Sequence, residues 1–249
     1  MPVREWDGAS YDRVSGPQLS LGLEVLDRLQ LSGDERVLDA GCGSGRITEA
    51  LLDRLQSGSV IGVDESASMV NAARRRLGER AELRVADLVE LELPEPLDAV
   101  LSTATFHWIA DHERLFARLH ALLRPGGRLV AQCGGHGNVD GLRGRAAQVL
   151  ARPPYAEHFA GFTAPWNYAG AEVTRERLLA AGFSSAECWL APAPQCPEHP
   201  REFLATVIFE PHLRRLRETL RERFMDELLE HLGEPVIVDY VRLNIDATA

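Results

Sequence analysis

Between residues 35 and 134, short apolar runs alternate with amphipathic helical patterns, and this alternation most limits the folds open to the chain. Runs such as 59–64 (SVIGVD) and 81–87 (AELRVAD) are apolar, end in an acidic residue and predict buried strands. Helical periodicity separates most of these runs, as at 66–77 and 112–123. Strands joined through helices cross over and run parallel, with helices on both faces of the sheet. The pattern therefore predicts an α/β fold with a doubly wound sheet.

The basic residues of the chain are all arginine. Its 249 residues include 27 basic and 37 acidic side chains, and no lysine occurs among them. The chain therefore has no amine for a Schiff base and no phosphate-loop lysine, which excludes pyridoxal-phosphate, class I aldolase and kinase-type chemistry. The formal charge of −10 disfavours binding to a phosphate backbone, so we expect no nucleic-acid partner. A GC-rich coding bias is sufficient to explain the missing lysine.

The sequence shows no pattern typical of membrane targeting or of a disulfide-stabilised protein. The N-terminal residues do not resemble a signal peptide, and no run of about 18 apolar residues is present. Four scattered cysteines (Cys42, Cys133, Cys188 and Cys196) without a C-x-x-C pair disfavour a zinc site or a disulfide framework. We expect a cytoplasmic protein with no metal and no membrane partner, as a monomer or a homodimer.

The alternation of strands and helices breaks in two places, which we interpret as insertions into a single domain. One is rich in glycine, proline and aromatic residues, and the other is helical. We therefore divide the domain 1–249 into an N-terminal lid and helix at 1–34, a cofactor-binding core at 35–133 and a cap formed by the insertions 134–171 and 193–234. Within the second insertion, an amphipathic helix predicted over 212–232 belongs either to the cap or to a dimer interface.

The first predicted strand ends in a glycine-rich turn, residues 39–45 (DAGCGSG). Ligands of open parallel sheets bind at the carboxyl ends of strands, and glycines let them approach bare backbone. A dinucleotide fingerprint needs its third glycine one residue after Gly45, where this chain has Arg46, and Asp39 would repel a pyrophosphate. The turn therefore favours a ligand with a positively charged end and disfavours a nicotinamide-dependent oxidoreductase.

Acidic residues also end the next two predicted strands, at Asp64 and Asp87. Together with the glycine turn, this pattern resembles the class I S-adenosylmethionine-dependent methyltransferases, whose first motif reads acid-x-G-x-G-x-G. The resemblance is strongest over residues 35–133. It implies a Rossmann-like, seven-stranded sheet with an antiparallel last strand. It also implies S-adenosyl-L-methionine as the cofactor and S-adenosyl-L-homocysteine as its product.

The same resemblance implies roles for individual residues along the strand ends. The turn lies against the methionine part of the cofactor, Asp64 holds the ribose, and Asp87 with the backbone of Leu88 reads an adenine on which Met69 packs. Ser102 ends the fourth strand, which points at the transferred methyl group. The expected cofactor-binding residues are Asp39, Gly41, Gly43, Gly45, Asp64, Met69, Asp87, Leu88, Ser102 and, for the cofactor carboxylate, Gln18.

The residues after the fourth strand, 102–108 (STATFHW), bear on the methyl acceptor. They lack the Asp/Asn-Pro-Pro-aromatic motif of enzymes that methylate nucleic-acid or protein amines. With Asp111 they resemble the trans-aconitate methyltransferase group, as do the stretches 6–11 and 240–243, whereas the cap at 138–171 departs from that group. The resemblance implies O-methylation of a carboxylate on a small acid.

A carboxylate is already ionised at pH 7 and needs no general base. The protein must instead align the reactants and exclude water, for which we expect His107 and Trp108 at the catalytic position. His107 is a base, a substrate contact or a residue that bonds its own loop, and we favour the last two roles. The expected substrate contacts are Phe106, His107, Trp108, Trp166 and two arginines for a second carboxylate, Arg13 and Arg242. Four further aromatic residues form either the pocket wall or the core of the cap: Tyr155, Phe159, Phe162 and Tyr168.

Two other functions remain open at this level. The chain is alternatively an O-, N- or C-methyltransferase of another small metabolite, or a non-catalytic protein that binds S-adenosylmethionine. Acceptors such as phenols and amines require deprotonation, so His107 would then act as a base.

Overall fold

The computed structural model describes residues 16–249. Its helices are α1 (Gly16–Arg28), α2 (Arg46–Leu52), α3 (Ala67–Leu77), α4 (His112–Leu122), α5 (Asp140–Leu150), α6 (Ala171–Ala180), α7 (Pro200–Phe203), α8 (Glu210–Leu213) and α9 (Glu218–Leu232). Its strands are β1 (Arg36–Ala40), β2 (Ser59–Asp64), β3 (Glu82–Val85), β4 (Leu97–Thr103), β5 (Leu123–Gly134), β6 (Ser185–Pro192) and β7 (Val241–Thr248). Short 3₁₀ turns lie at Phe106–Trp108 and Ala156–Phe159, and a π-helical turn lies at Leu204–Ile208.

The seven strands form one sheet in the order β3-β2-β1-β4-β5-β7-β6. Strands β1 to β5 pair in parallel, whereas β7 runs antiparallel to both β5 and β6. The strand order reverses between β1 and β4, so the carboxyl ends of these two strands border a crevice. The predicted doubly wound, seven-stranded α/β sheet with an antiparallel last strand is confirmed.

Helices cover both faces of the sheet because successive strand residues point to opposite sides. On one face, Val37 of β1 packs in a buried cluster with Leu26 of α1. On the other face, Leu38 belongs to a cluster that includes Phe116 of α4 and Leu178 of α6. Each large apolar side chain buried in this way contributes about 1.5–3 kcal/mol to stability. These two layers hold the ends of β1 and β4 in place.

A third hydrophobic cluster joins the segment after β5 to the segment between β6 and β7. Leu142 and Val149 of α5 share it with Phe203 of α7 and with Phe224 and Leu228 of α9. The two insertions thus bury their apolar surfaces against each other rather than against the sheet helices. We call this unit, residues 139–171 and 193–240, the helical cap.

Two regions of secondary structure differ from the predictions. The helix predicted over 212–232 is divided into α8 and α9, because Arg217 adopts an extended backbone between them. Like charges at Arg214 and Arg217, three residues apart, also disfavour a continuous helix there. The final strand begins at Val241, after Pro235, which lacks an amide N–H for a sheet ladder.

The fifth strand also starts earlier than predicted. It begins at Leu123, the last residue of the helical pattern at 112–123, and the segment 124–127 (RPGG) lies within β5. Leu123 pairs with Leu97 before a shift of register, and regular pairing resumes at Arg128 opposite Ala99.

Among residues 16–249, no helix is long and apolar enough to cross a membrane. The same residues contain no group of three or more His, Cys, Asp or Glu side chains placed to hold a metal ion.

Candidate active site

The turn between β1 and α2 is built from residues with left-handed backbone. Gly41, Gly43 and Gly45 have φ values of 86°, 51° and 85°, which favour glycine. A Cβ on Gly41 would overlap the side chain of Thr105, whereas a Cβ on Gly43 would meet nothing within 4 Å. Gly41 is therefore required by packing, and Gly43 presents bare backbone to the open crevice.

Asp39 is the buried acid of the crevice. Its side chain is 1 % exposed, and Oδ2 accepts a hydrogen bond of 2.6 Å from Thr48 Oγ1. Within residues 16–249, its Oδ1 has no hydrogen-bond partner. Burial, aided by the negative charge of Asp64, raises the pKa of Asp39 to about 6, although the Thr48 hydroxyl opposes this shift. An orphaned, buried carboxylate oxygen is the expected partner of a cationic ligand group.

Asp64 and Asp87 lie on the same edge of the sheet as Asp39. The Asp64 carboxylate accepts hydrogen bonds from the amide N–H of Gly43 at 3.0 Å and from that of Ser66 at 2.9 Å. Asp87 follows β3, is exposed, and accepts from the Val89 amide N–H at 3.0 Å. The ends of three adjacent parallel strands therefore bring the three acids to one crevice.

Four other residues expected at the cofactor make contacts within the protein. Met69 and Leu88 have buried side chains, which leaves the backbone of Leu88 next to Asp87. Ser102 is buried, and its hydroxyl donates to the Ala40 carbonyl at 2.6 Å, so it holds the end of β4 against β1. Gln18 of α1 donates to the hydroxyl of Tyr240 at 3.1 Å, which places it beside β7.

His107 lies in the 3₁₀ turn that follows β4 and is 8 % exposed. The amide N–H of Gly134, at the end of β5, donates to His107 Nδ1 at 3.3 Å. In the neutral imidazole, this bond assigns the proton to Nε2, so His107 is a hydrogen-bond donor through that nitrogen. The loop-bonding role that we favoured from the sequence and a donor role are therefore compatible.

Aromatic rings surround His107. Its ring lies 4.9 Å from that of Trp108 and 5.7 Å from that of Tyr168, and Tyr168 stacks on Trp166 at 5.7 Å. Asn167, between the last two, holds them there because its amide N–H donates to the His107 carbonyl at 2.8 Å. The cap thereby supplies an aromatic wall beside the end of β4.

Arg242 is a buried cation at the start of β7, 5 % exposed and opposite Gly134 of β5. Its Nε donates to Gln132 Oε1 at 3.3 Å, and its guanidinium lies 5.2 Å from the ring of Tyr240. Within residues 16–249, Arg242 forms no ion pair, and no protein acceptor bonds its two terminal nitrogens. The sequence reasoning missed Gln132, although a glutamine within the apolar run LVAQCG signals a buried polar contact.

Not every expected substrate contact lies in this region. Phe106 is 1 % exposed and packs edge-on against Phe116 in the core under the sheet, so the structure places it apart from the aromatic wall. The turn after β4 points this ring inward and the next residue, His107, toward the crevice. Arg13 lies outside the described residues. Tyr155, one of the four alternative wall residues, is buried in the core of the cap against Phe224.

Comparisons with known proteins agree with this geometry. A family model described as a methyltransferase domain matches residues 37–127. A relative from Methylobacterium nodulans, named trans-aconitate 2-methyltransferase, is 32 % identical over 195 residues, covering 77 % of this chain and 69 % of its own length. A relative of the same name from Variovorax paradoxus is 29 % identical over 246 residues, covering 96 % and 88 %.

Solved structures share the fold. The phosphoethanolamine N-methyltransferase 2 of Haemonchus contortus, in complex with phosphomonomethylethanolamine and S-adenosylhomocysteine, matches with a TM-score of 0.63 at 20 % identity. The match covers 97 % of this chain and 56 % of that one, so this chain spans little more than half of its length. The relative from Methylobacterium nodulans decides the family. The chain belongs to the S-adenosylmethionine-dependent methyltransferases, and its cofactor is S-adenosyl-L-methionine.

Proposed function

We propose that this methyltransferase acts on a carboxylate oxygen of a small organic acid. The observation that carries the proposal is the buried guanidinium of Arg242, which lacks an anionic partner among residues 16–249. A buried, unpaired charge is costly, so a site that retains one is suited to receive the opposite charge from a ligand. The relatives named trans-aconitate 2-methyltransferase support an acid as acceptor, because trans-aconitate is a carboxylic acid.

The crevice residues fit the cofactor. Asp39 Oδ1, buried and without a partner among the described residues, suits the cofactor ammonium, and the bare backbone at Gly43 suits its methionine part. Asp64 would hold the ribose, and Asp87 with the backbone of Leu88 would hold the adenine. When bound, S-adenosylmethionine supplies an electrophilic methyl group on a sulfonium.

Arg242 orients the acceptor in this proposal. Its Nε is bonded to Gln132, which fixes the plane of the guanidinium and directs the terminal nitrogens away from that bond. Two parallel N–H donors match the geometry of a carboxylate. Arg242 would therefore hold both oxygens of the acid's carboxylate, one of which would receive the methyl group as the bond between that group and the cofactor sulfur breaks.

His107 donates a hydrogen bond rather than removing a proton. Because Nδ1 accepts from the Gly134 amide, the neutral ring carries its proton on Nε2, and this N–H would donate to the acceptor. An ionised carboxylate offers lone pairs for this bond and needs no base, whereas a phenol or an amine would need one. The rings of Trp108, Trp166 and Tyr168 exclude water from the reacting atoms.

A labelled-methyl screen tests the proposal. The protein is incubated with S-adenosylmethionine carrying a labelled methyl group and with separate panels of mono-, di- and tricarboxylic acids, phenols and amines. We expect label in a product that dilute base hydrolyses to methanol, since methyl esters are base-labile and aryl ethers and methylamines are not. Transfer only to phenols or amines would contradict the proposal.

A further inference from the structure

A cavity of about 390 Å³ opens in the helical cap, beside the aromatic wall. This volume is within the usual range for small-molecule sites. Its lining is mostly alanine, leucine and phenylalanine, with Arg143 and His212 as the ionisable members. Neither the membership of the methyltransferase family nor the proposed carboxylate site assigns a function to this cavity.

His212 of α8 is buried in this lining. It is 8 % exposed, and its Nδ1 has no hydrogen-bond partner within residues 16–249. Phe162, Phe209 and Trp166 surround its ring at centroid distances of 4.9, 5.4 and 5.8 Å. Burial, together with the charge of Arg143, lowers its pKa to about 4, so it is neutral at pH 7. A neutral imidazole offers an uncharged hydrogen-bonding group to whatever enters the cavity.

A row of ring contacts connects His107 with His212, which lines the cavity. His107 contacts Tyr168, Tyr168 stacks on Trp166, and Trp166 contacts His212, with centroid distances of 5.7, 5.7 and 5.8 Å. Arg143 of α5 lies over both Trp166 and Tyr168, at 5.5 and 5.9 Å. The row gives the direction in which a ligand held at His107 would have to extend to reach the cavity.

The charges of the cavity limit what it accepts. Among residues 16–249, Arg143 is the single cation in its lining, and that side chain already pairs with Asp140 at 3.2 Å. Several further carboxylates would enter an apolar surface without partners, which is unfavourable. An apolar body with one uncharged polar group instead matches the alanine and phenylalanine lining and the free nitrogen of His212.

We propose that the cap cavity binds the apolar body of the acceptor, so that the substrate is a monocarboxylic acid with an alkyl or aromatic body rather than a polycarboxylate. This inference rests on the proposed carboxyl methylation and names its substrate class. His212 would then bond an uncharged polar group, such as a hydroxyl, on that body.

Chain-length dependence tests the proposal. Methyl transfer is measured for hexanoate, octanoate and decanoate, for phenylpropanoate and its 4-hydroxy derivative, and for trans-aconitate. We expect kcat/KM to rise about threefold to fourfold for each added methylene that the cavity buries, and trans-aconitate to be the poorest acid. A flat series, or a preference for trans-aconitate over every apolar acid, would overturn the inference.

Variants locate the effect in the cavity. Ala147→Trp places a ring in the cavity and should remove the dependence of kcat/KM on the chain length of the acid. Ala117→Trp, on the exposed side of α4, should leave this dependence unchanged. His212→Phe keeps an aromatic ring and should remove the preference for the hydroxylated acid. If Ala147→Trp melts normally and keeps the same dependence of kcat/KM on chain length, the cavity does not bind the apolar body of the acceptor.

A binding measurement separates this inference from the proposed reaction. Calorimetric titration of decanoate into the protein with S-adenosylhomocysteine reports cavity binding without methyl transfer. If decanoate binds and Ala147→Trp weakens binding, but no acid yields a base-labile ester, the carboxyl methylation fails and the cavity assignment stands. If esters form without any chain-length effect or decanoate binding, the cavity assignment fails alone.

Discussion

Thr48 Oγ1 donates a hydrogen bond to Asp39 Oδ2 and leaves the second oxygen of that carboxylate buried and unpartnered among the described residues. The bond fixes the orientation of Asp39 at the end of β1 and directs Oδ1 away from α2. Burial raises the pKa of Asp39 while Thr48 lowers it, so the acid titrates at about pH 6. Asp39 is thus partly protonated near pH 6, whereas the cofactor ammonium would need the negative charge of the ionised carboxylate.

Cofactor binding should therefore depend on pH. Below about pH 6 an ammonium must displace the Asp39 proton, so the affinity for S-adenosylhomocysteine should fall up to about tenfold per pH unit. Calorimetry at pH 6 in two buffers of different ionisation enthalpy should show proton release on binding. Asp39→Asn should remove both the release and the pH dependence; pH-independent binding by the unmodified protein would contradict the assignment.

Asp39 should also reduce the stability of the protein without ligand. Its pKa is raised from 3.8 to about 6 in the folded state, so the folded protein holds a proton that the unfolded chain has released across that range. Stability is consequently lost as pH rises from about 4 to 6, by about 3 kcal/mol. Asp39→Asn should raise the melting temperature at pH 7 while weakening cofactor binding. The exposed control Asp87→Asn should change stability by less than about 0.5 kcal/mol.

The two glycines of the turn should respond differently to the same added methyl group. Gly41→Ala drives a Cβ into Thr105, so we expect a lower melting temperature and less soluble protein. Gly43→Ala has open space and costs only about 1 kcal/mol of backbone strain, but its Cβ enters the proposed cofactor crevice. It should therefore weaken S-adenosylhomocysteine binding in a protein that still folds. Equal thermal destabilisation by both changes would contradict this reading.

Gly41 and Gly43 show how much of the cofactor-binding part of the site could be predicted from the sequence. Asp39, Asp64 and Asp87 lie at the ends of strands that a local apolar pattern predicts. Because parallel strands end at the same edge of a sheet, the sequence also predicts that the three acids share that edge. The sequence did not predict that Gly41 serves packing, because Thr105 lies 64 positions away along the chain. Contacts between residues so far apart in the chain depend on the tertiary structure, and the local repeat of apolar residues does not predict them.

The acceptor side was less predictable for the same reason. Phe106 and His107 are neighbours in the sequence, yet one ring is directed into the core and the other toward β5, which depends on the geometry of a single 3₁₀ turn. Arg143 and His212 were not singled out because they lie in two separate insertions. They meet only through packing inside the cap.

Arg242 should govern acid binding rather than the chemical step. Arg242→Gln removes the charge, and we expect KM for the acid to rise about 30-fold or more, equivalent to about 2 kcal/mol, with a smaller change in kcat. Arg242→Lys restores charge without the planar pair of donors and should recover part of the loss. Steady-state kinetics with Arg175→Gln, an exposed arginine of α6, supplies the matched control. Unchanged KM in Arg242→Gln would remove the residue from the acceptor site.

His107 should act as a donor. His107→Gln can place an amide N–H near the position of Nε2, whereas His107→Asn retains a group near Nδ1 but is too short to replace that donor. We therefore expect His107→Gln to keep more activity than His107→Asn, with kcat independent of pH between about 6 and 8 in both. If His107 were a base, both variants would lose activity about 100-fold or more, and kcat of the unmodified protein would fall with the protonation of an imidazole.

Strand β7 lies between β5 and β6, although it follows both in the chain. As the polypeptide leaves the ribosome, the glycine turn and the five parallel strands emerge first, while β6 has no neighbour in the sheet until β7 arrives. Arg242 lies on that late strand. The growing chain therefore completes its proposed methyl-donor site before its acceptor anchor is synthesised, and a truncated translation product without β7 would lack that anchor.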